Sequence, residues 1–199
     1  PFHISLRKKV AEKYRCDYVS DFSEGMASAK IDSEYFLVDK SGKQILNQEH
    51  YEMVGKFVDG LAVVKKHDKY FFIDKTGNPL SYERYDRAQS FSEGLAAVEK
   101  DGEYFFINKS GIAISNERYD KAFRFTDGLA KVQSNKKWFY INKNEIPISD
   151  ERYSFVDNFC EGLAAVQKGQ EFFFIDKSGN PISDERYYSV SSFYEGLAA

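Results

Sequence analysis

Six acidic residues stand at one fixed place in this chain, each directly before a glycine: Glu24, Asp59, Glu93, Asp127, Glu161 and Glu195. A row of carboxylates at constant spacing suits a line of cations or a basic partner. It does not suit a calcium loop, which needs several oxygen ligands within about twelve residues. The plainer expectation is solvated acids that favour a turn. A second set recurs as Glu83-Arg84-Tyr85, Glu117-Arg118-Tyr119, Glu151-Arg152-Tyr153 and Glu185-Arg186-Tyr187, with Glu49-His50-Tyr51 as a variant. Arginine and tyrosine in a stripe would grip carboxylates or sugars. The plainer expectation is a ladder of ion pairs and packed rings, because each unit of a repeat meets its neighbour in the same way.

Other chemistry is sparse. His3, His50 and His67 have no metal-ligand spacing with a cysteine or a second histidine. No serine sits in a Gly-x-Ser-x-Gly elbow, and no glycine loop is built to cradle a phosphate. Asn108-Lys109-Ser110 fits a glycosylation sequon, but its equivalents are Asp-Lys-Ser turns. A catalytic constellation is asymmetric, whereas every prominent feature here recurs in register. The expectation is a protein that is not an enzyme, with no catalytic, cofactor-binding or metal-binding residues.

The acids belong to a longer cassette of aromatic, two spacers, glycine and a small apolar run. Its glycines are Gly25, Gly60, Gly94, Gly128, Gly162 and Gly196, a period of 34 residues with one step of 35. Such a period marks a repeat architecture. Within one unit, Leu95-Ala96-Ala97-Val98 reads as a first strand. Asp101-Gly102 reads as a hairpin turn, and Tyr104-Phe105-Phe106-Ile107 as a second strand. A third short strand is expected around Ile112-Ala113-Ile114, with a fourth near Tyr119. The second strand is apolar on both faces, so both must be buried. Alanine recurs at the second position of the first strand, from Ala27 to Ala198, which implies a tight site.

The turn after the second strand recurs as Asp39-Lys-Ser-Gly42, Asp74-Lys-Thr-Gly77, Asn108-Lys-Ser-Gly111 and Asp176-Lys-Ser-Gly179. This is a type I pattern with glycine supplying a positive φ. In the one departure, Asn142-Lys-Asn-Glu145, Asn144 is expected to take the left-handed conformation. The extra residue of the array falls between Leu46 and Tyr51, in a linking segment.

The expected fold is therefore all-β: tandem three-stranded antiparallel repeats in an open β-superhelix or a propeller-like ring. The whole chain, 1–199, reads as a single array. It has a partial repeat at 1–21, repeats at 22–56, 57–90, 91–124, 125–158 and 159–192, and a partial repeat at 193–199. Phe2-His3-Ile4-Ser5 aligns with Phe105-Phe106-Ile107-Asn108, so a second strand is expected at the start; Leu197-Ala198-Ala199 reads as a first strand at the end. The two ends either cut a longer array or meet to close a ring. An opening Pro1 rather than methionine favours a piece of a longer chain. No helical period runs over twelve or more residues.

The 199 residues carry a net charge of −3, 17% aromatics and 30% charged residues. A net acidic chain lacks the basic surface that nucleic acid requires, so no nucleic-acid partner is expected. Nor is membrane insertion, since no run of about eighteen apolar residues exists. Cys16 and Cys160, at unlike positions in the repeat, fit unpaired thiols in a reducing, cytoplasmic compartment. Export is the alternative expectation, because a chain that opens on Pro1 reads as truncated at its start, where a targeting signal would stand.

Phe91-x-Glu93-Gly94-Leu95-Ala96-x-Val98, followed by Ile175-Asp176-Lys177-Ser178-Gly179 in the turn, resembles the WG (tryptophan-glycine) repeat family over about residues 16–199. The namesake Trp-Gly pair is absent. Tryptophan remains only at Trp138, and the glycine position holds Phe36, Phe71, Phe105, Phe139 and Phe173. The chain therefore resembles a divergent branch. The resemblance implies an interaction scaffold more than an activity.

The expected function is a non-catalytic scaffold for a protein partner. The alternatives are a lectin-like module that stacks glycans on repeated aromatics, and a regulatory repeat region attached to an enzyme. Partner reading is expected where the repeats differ, at Ser28, Val63, Ala97, Lys131 and Ala165 in the first strand.

Overall fold

The second-strand segments are apolar on both faces, and such strands persist only when a neighbour covers each face. A computed structural model, which describes residues 2–45 and 50–190 (backbone only for 2–5), answers this with five successive three-stranded antiparallel sheets. They follow one helix, α1 (Phe2–Tyr14). The first sheet holds β1 (Tyr18–Val19), β2 (Met26–Ile31) and β3 (Glu34–Asp39). The second holds β4 (Met53–Val54), β5 (Leu61–Lys66) and β6 (Lys69–Asp74), and the third β7 (Arg87–Ala88), β8 (Leu95–Lys100) and β9 (Glu103–Asn108). Then come β10 (Lys121–Ala122), β11 (Leu129–Ser134) and β12 (Lys137–Asn142), and finally β13 (Phe155–Val156), β14 (Leu163–Lys168) and β15 (Glu171–Asp176). The long strands share one register, with Ala62 opposite Ile73 and Val64 opposite Phe71 in one sheet, and Ala130 opposite Ile141 and Val132 opposite Phe139 in another.

The third strand of each sheet is not the one the sequence suggested. It is the two-residue strand ahead of the cassette, such as Arg87–Ala88, which pairs with Glu99 and Val98. The segment around Ile112-Ala113-Ile114 only touches the second strand, through Asn108 N–H to the Ile112 carbonyl and Ile114 N–H to the Phe106 carbonyl. Tyr119 forms the expected fourth contact as a single bridge, exchanging two 2.9 Å hydrogen bonds with Tyr104.

Turn chemistry explains the recurring residues. Glu93 and Gly94 have φ of 54° and 88°, and Ser92 and Leu95 exchange backbone hydrogen bonds around them. Two successive positive φ values define a type I′ turn. A side-chain carbon added at Gly94 would meet nothing within 4 Å, so the glycine is required by conformation and not by space. Asp101-Gly102 and Asn135-Lys136 are the same kind of turn between long strands. After the second strand, Asp39 Oδ1 accepts from the N–H groups of Ser41 and Lys43 and from the Ser41 hydroxyl. In the departing turn it is Glu145, with φ 58°, and not Asn144, that takes the left-handed position. The reason is geometric. Glu145 N–H closes onto the Asn142 carbonyl as Gly42 N–H does onto Asp39, so the fourth position bends whatever residue fills it.

The described chain divides into two compact units, one of Pro1–Asp101 and Ile107–Ile112, the other of Gly102–Phe106 and Ala113–Ala199. In the first unit, Met26 and Leu37 of one repeat pack with Ala62, Val64, Phe71 and Ile73 of the next. In the second unit, Tyr140 and Tyr153 pack with Ala164, Val166, Phe173 and Ile175. The recurring alanines Ala27, Ala62, Ala96, Ala130 and Ala164 are all buried.

The first sheet has a different neighbour. Helix α1 covers it, with Val10 buried among Val19, Ala27, Ala29, Phe36 and Val38. Tyr14 meets Phe36 edge-on at 5.5 Å, and its hydroxyl donates to the Gly42 carbonyl. Residues 2–5, expected as a strand, belong to this helix. A four-residue match could not outweigh Leu6, Val10 and Tyr14, whose spacing of four puts them on one helical face. The Leu46 insertion, Glu49, and the terminal stretch Phe193-Glu195-Gly196-Leu197-Ala198-Ala199 lie outside the described residues.

Candidate functional site

The cassette acids are tied to the next repeat. Glu24 accepts hydrogen bonds from the N–H groups of Asp59 and Gly60 at 2.7 and 2.9 Å, and its carboxylate pairs with Lys75 at 3.0 Å. Lys109 pairs with Asp59, and Lys177 with Asp127, both at 3.1 Å. In each pair the lysine of one Asp-Lys-Ser/Thr-Gly or Asn-Lys-Ser-Gly turn reaches the acid of the preceding cassette. Glutamate in a left-handed conformation costs about 1–2 kcal/mol, so turn preference does not account for Glu24. Its bonds to the next turn do. The Lys75 contact, then the two N–H groups, hold the Glu24 carboxyl below the usual carboxylate range.

The Glu-Arg-Tyr residues divide their work. Tyr51, Tyr119 and Tyr153 are buried and set their rings 6.1–6.3 Å from Phe71, Phe139 and Phe173 of the following repeat. Glu83 and Glu151 pair with Lys100 and Lys168 of the following hairpin, both at 2.6 Å. The arginines turn back onto their own repeat, contrary to the expected inter-repeat ladder. Arg84, Arg118, Arg152 and Arg186 lie 3.9–4.5 Å above the rings of Phe71, Phe105, Phe139 and Phe173. Phenylalanine in place of the family glycine thus supplies the floor for the arginine, a contact the sequence held in two separate motifs.

Two open cavities follow from this arrangement. One, of about 380 Å³, is lined by Tyr51, Lys66, His67, Phe71, Gly77 and Arg84. Its counterpart, of about 320 Å³, is lined by Tyr153, Lys168, Phe173, Gly179, Pro181 and Arg186, with Glu151 and Glu171. Each sits where the tyrosine of one repeat faces the phenylalanine of the next.

Four of the five first-strand positions expected to read a partner are turned into the array. Ser28, Val63, Ala97 and Ala165 are buried, because the central strand of each sheet is covered on both faces. At Val63 the neighbouring strand leaves no room for a side chain. Gly55 N–H bonds the Val63 carbonyl, and a carbon added at Gly55 would fall 2.7 Å from Val63 Cγ1. Lys131 is half-buried with its ammonium 4.8 Å over the Phe123 ring, and burial pushes its pKa down.

The remaining candidates stay apart. His50 Nδ1 lies 3.2 Å from Glu34, and His67 occupies a hairpin turn. Cys16 and Cys160 are unpaired and half-buried. Among the described residues no cluster of three or more His, Cys, Asp or Glu is arranged to hold a metal ion. No helix there is long and apolar enough to cross a membrane.

The structure resembles that of Hsv2 from Kluyveromyces marxianus, at 10% identity and a TM-score of 0.50, covering 82% of this chain and 64% of that one. It resembles Hsv2 from Kluyveromyces lactis at 10% identity and 0.48, covering 83% and 61%. PorZ from Porphyromonas gingivalis aligns at 12% identity and 0.41, covering 89% and 26%. The chain thus spans under two thirds of these proteins, and the likeness speaks to a propeller-like fold alone. No curated protein matches. The family description "WG containing repeat" matches residues 8–35, 35–70, 70–104, 104–138, 138–171 and 172–199 in unbroken tandem. The chain belongs to the WG repeat family.

Proposed function

We propose that the chain is a non-catalytic scaffold that holds a protein partner. One observation carries this reading: exposed apolar side chains occur in the same stretch of four successive repeats, between the second strand and the bridging tyrosine, and they stand at three different positions within it. They are Tyr82, which is fully exposed, with Ile112, Ile146 and Ile182. The residues that recur in register are used between or within repeats, as the Glu24 and Glu83 contacts illustrate. Exposed aromatic and aliphatic side chains on a solvated rim suit protein recognition.

The glycan alternative is less well supported. The half-buried aromatics of the second strand carry cations over their rings: Lys30 over Tyr35, Lys65 over Tyr70 and Lys121 over Trp138, at 5.4–5.9 Å. Those ammonium groups compete for the faces on which a sugar would stack. The test is a photo-crosslinking residue at Tyr82 or Ile146, with the exposed helix position Lys8 as control. Discrete protein adducts from the first two and none from Lys8 are expected. Saturable oligosaccharide binding without adducts, or turnover of a metabolite, would overturn the scaffold reading.

A further inference from the structure

The glycine that walls both open cavities is replaced by a glutamate at one junction. Gly77 and Gly179 line the cavities at Tyr51–Phe71 and Tyr153–Phe173. One repeat before Gly179 stands Glu145, beside Tyr119 and Phe139, whose rings are 6.3 Å apart. Glu145 is buried, at 9% exposure. Its Oε1 accepts a hydrogen bond from the Tyr119 hydroxyl at 3.2 Å, and its Oε2 is buried with no hydrogen-bond partner among the described residues. Burying a carboxylate oxygen unpaired is costly, as is a left-handed glutamate. The junction nevertheless takes the group.

A second observation concerns what the open cavities offer. Arg84 Nη1 donates to the carbonyls of Ser81 and Glu83, and Arg186 Nη1 to those of Ser183 and Glu185. Each guanidinium also lies over its phenylalanine ring. Nε and Nη2 of both arginines make no hydrogen bond among the described residues. A guanidinium fixed on one side, with two donors left on the other, is preorganised for a carboxylate.

We propose that the two open junction cavities each receive a glutamate side chain from an acidic segment of the partner, in the kind of place that Glu145 fills at its own junction. This rests on the scaffold reading. In each cavity the arginine is the group that takes the carboxylate.

Propionate, the side chain of glutamate set free, is the probe. Titrated into the whole chain at constant ionic strength, it should give saturable NMR shifts at the Arg84 and Arg186 Nε–H groups. Propionamide, uncharged and of the same shape, should not. In Glu145→Gly, which restores the glycine of the other turns, a third responsive set should appear at Tyr119, Phe139 and Arg152. Equal shifts at Arg15, which has no ring beneath it, would overturn the proposal. So would no saturation at Arg84 and Arg186, an equal response to propionamide, or no new set in Glu145→Gly. Adducts from Tyr82 with no propionate response would sink the cavity assignment alone. A propionate response without adducts would support the cavity assignment and sink the scaffold reading.

Discussion

Gly94 and Gly179 share a left-handed backbone but differ in the space around them, so one substitution at both sites separates conformation from crowding. Gly94 has φ 88° and no atom within 4 Å of an added carbon. Gly94→Ala should therefore lose only the left-handed term, about 1–2 kcal/mol, offset by about 0.4–1 kcal/mol from a stiffer unfolded chain. The net is about 1 kcal/mol. Gly179 has φ 82°, but an added carbon there falls 2.9 Å from Ser149 Cβ and 3.4 Å from the Ile148 carbonyl oxygen. Both obstacles belong to the preceding repeat and are backbone or next to it, so neither swings aside. Overpacking adds about 1–3 kcal/mol, for a loss of about 2–4 kcal/mol in Gly179→Ala. Removing the obstacle in the Ser149→Gly/Gly179→Ala double variant should recover most of the steric part and none of the conformational part, once the Ser149→Gly single is subtracted. Urea denaturation followed by circular dichroism reads the differences. In a thermal melt each kcal/mol corresponds to about 2–4 °C for a chain of this length. Equal losses at the two glycines would refute the close approach between repeats at Gly179. No loss at Gly94 would refute the type I′ requirement.

Two further outcomes follow from the same contacts. The Glu24 carboxyl is held low by Lys75 and by the next turn, so its contribution is present above the unfolded-state pKa and is lost as pH falls through the folded value. Acid titration of stability should fall less steeply below about pH 4.3 in Glu24→Gln than in the parent, and identical curves would remove the role assigned to Glu24. At buried Ala97, Ala97→Val should cost about 1–3 kcal/mol by overpacking, while Tyr82→Ser on the exposed rim should stay within about 0.5 kcal/mol; comparable melts would contradict the assignment of Ala97 to packing.

What could be read from the sequence was whatever a single repeat decides for itself. The period, the two long strands, the Asp101-Gly102 hairpin and the Asp39 turn all follow from local residue types, and the structure reproduces them. The second strand's double burial was legible because apolar residues on both faces leave one physical solution. What escaped were contacts joining two motifs that the chain keeps apart. Arg84 and Phe71 lie in different motifs, and nothing in either indicates that one is the floor of the other. The burial of Ser28, Val63, Ala97 and Ala165 escaped for a related reason. Difference between repeats marks either a partner or a neighbour of altered size, and only the pairing of Val63 with Gly55 shows which. Helix α1 was legible in the spacing of Leu6, Val10 and Tyr14, yet the period of the array drew residues 2–5, at its start, into a strand. Glu145 belongs to both classes. Its departure from the turn pattern stood in plain view, but its meaning depends on Tyr119, twenty-six residues away, and on the cavities lined by glycine at the same turn position of other repeats. A break in an otherwise regular repeat is thus informative in proportion to what it costs, and a buried, left-handed glutamate costs enough to require an account of the space it fills.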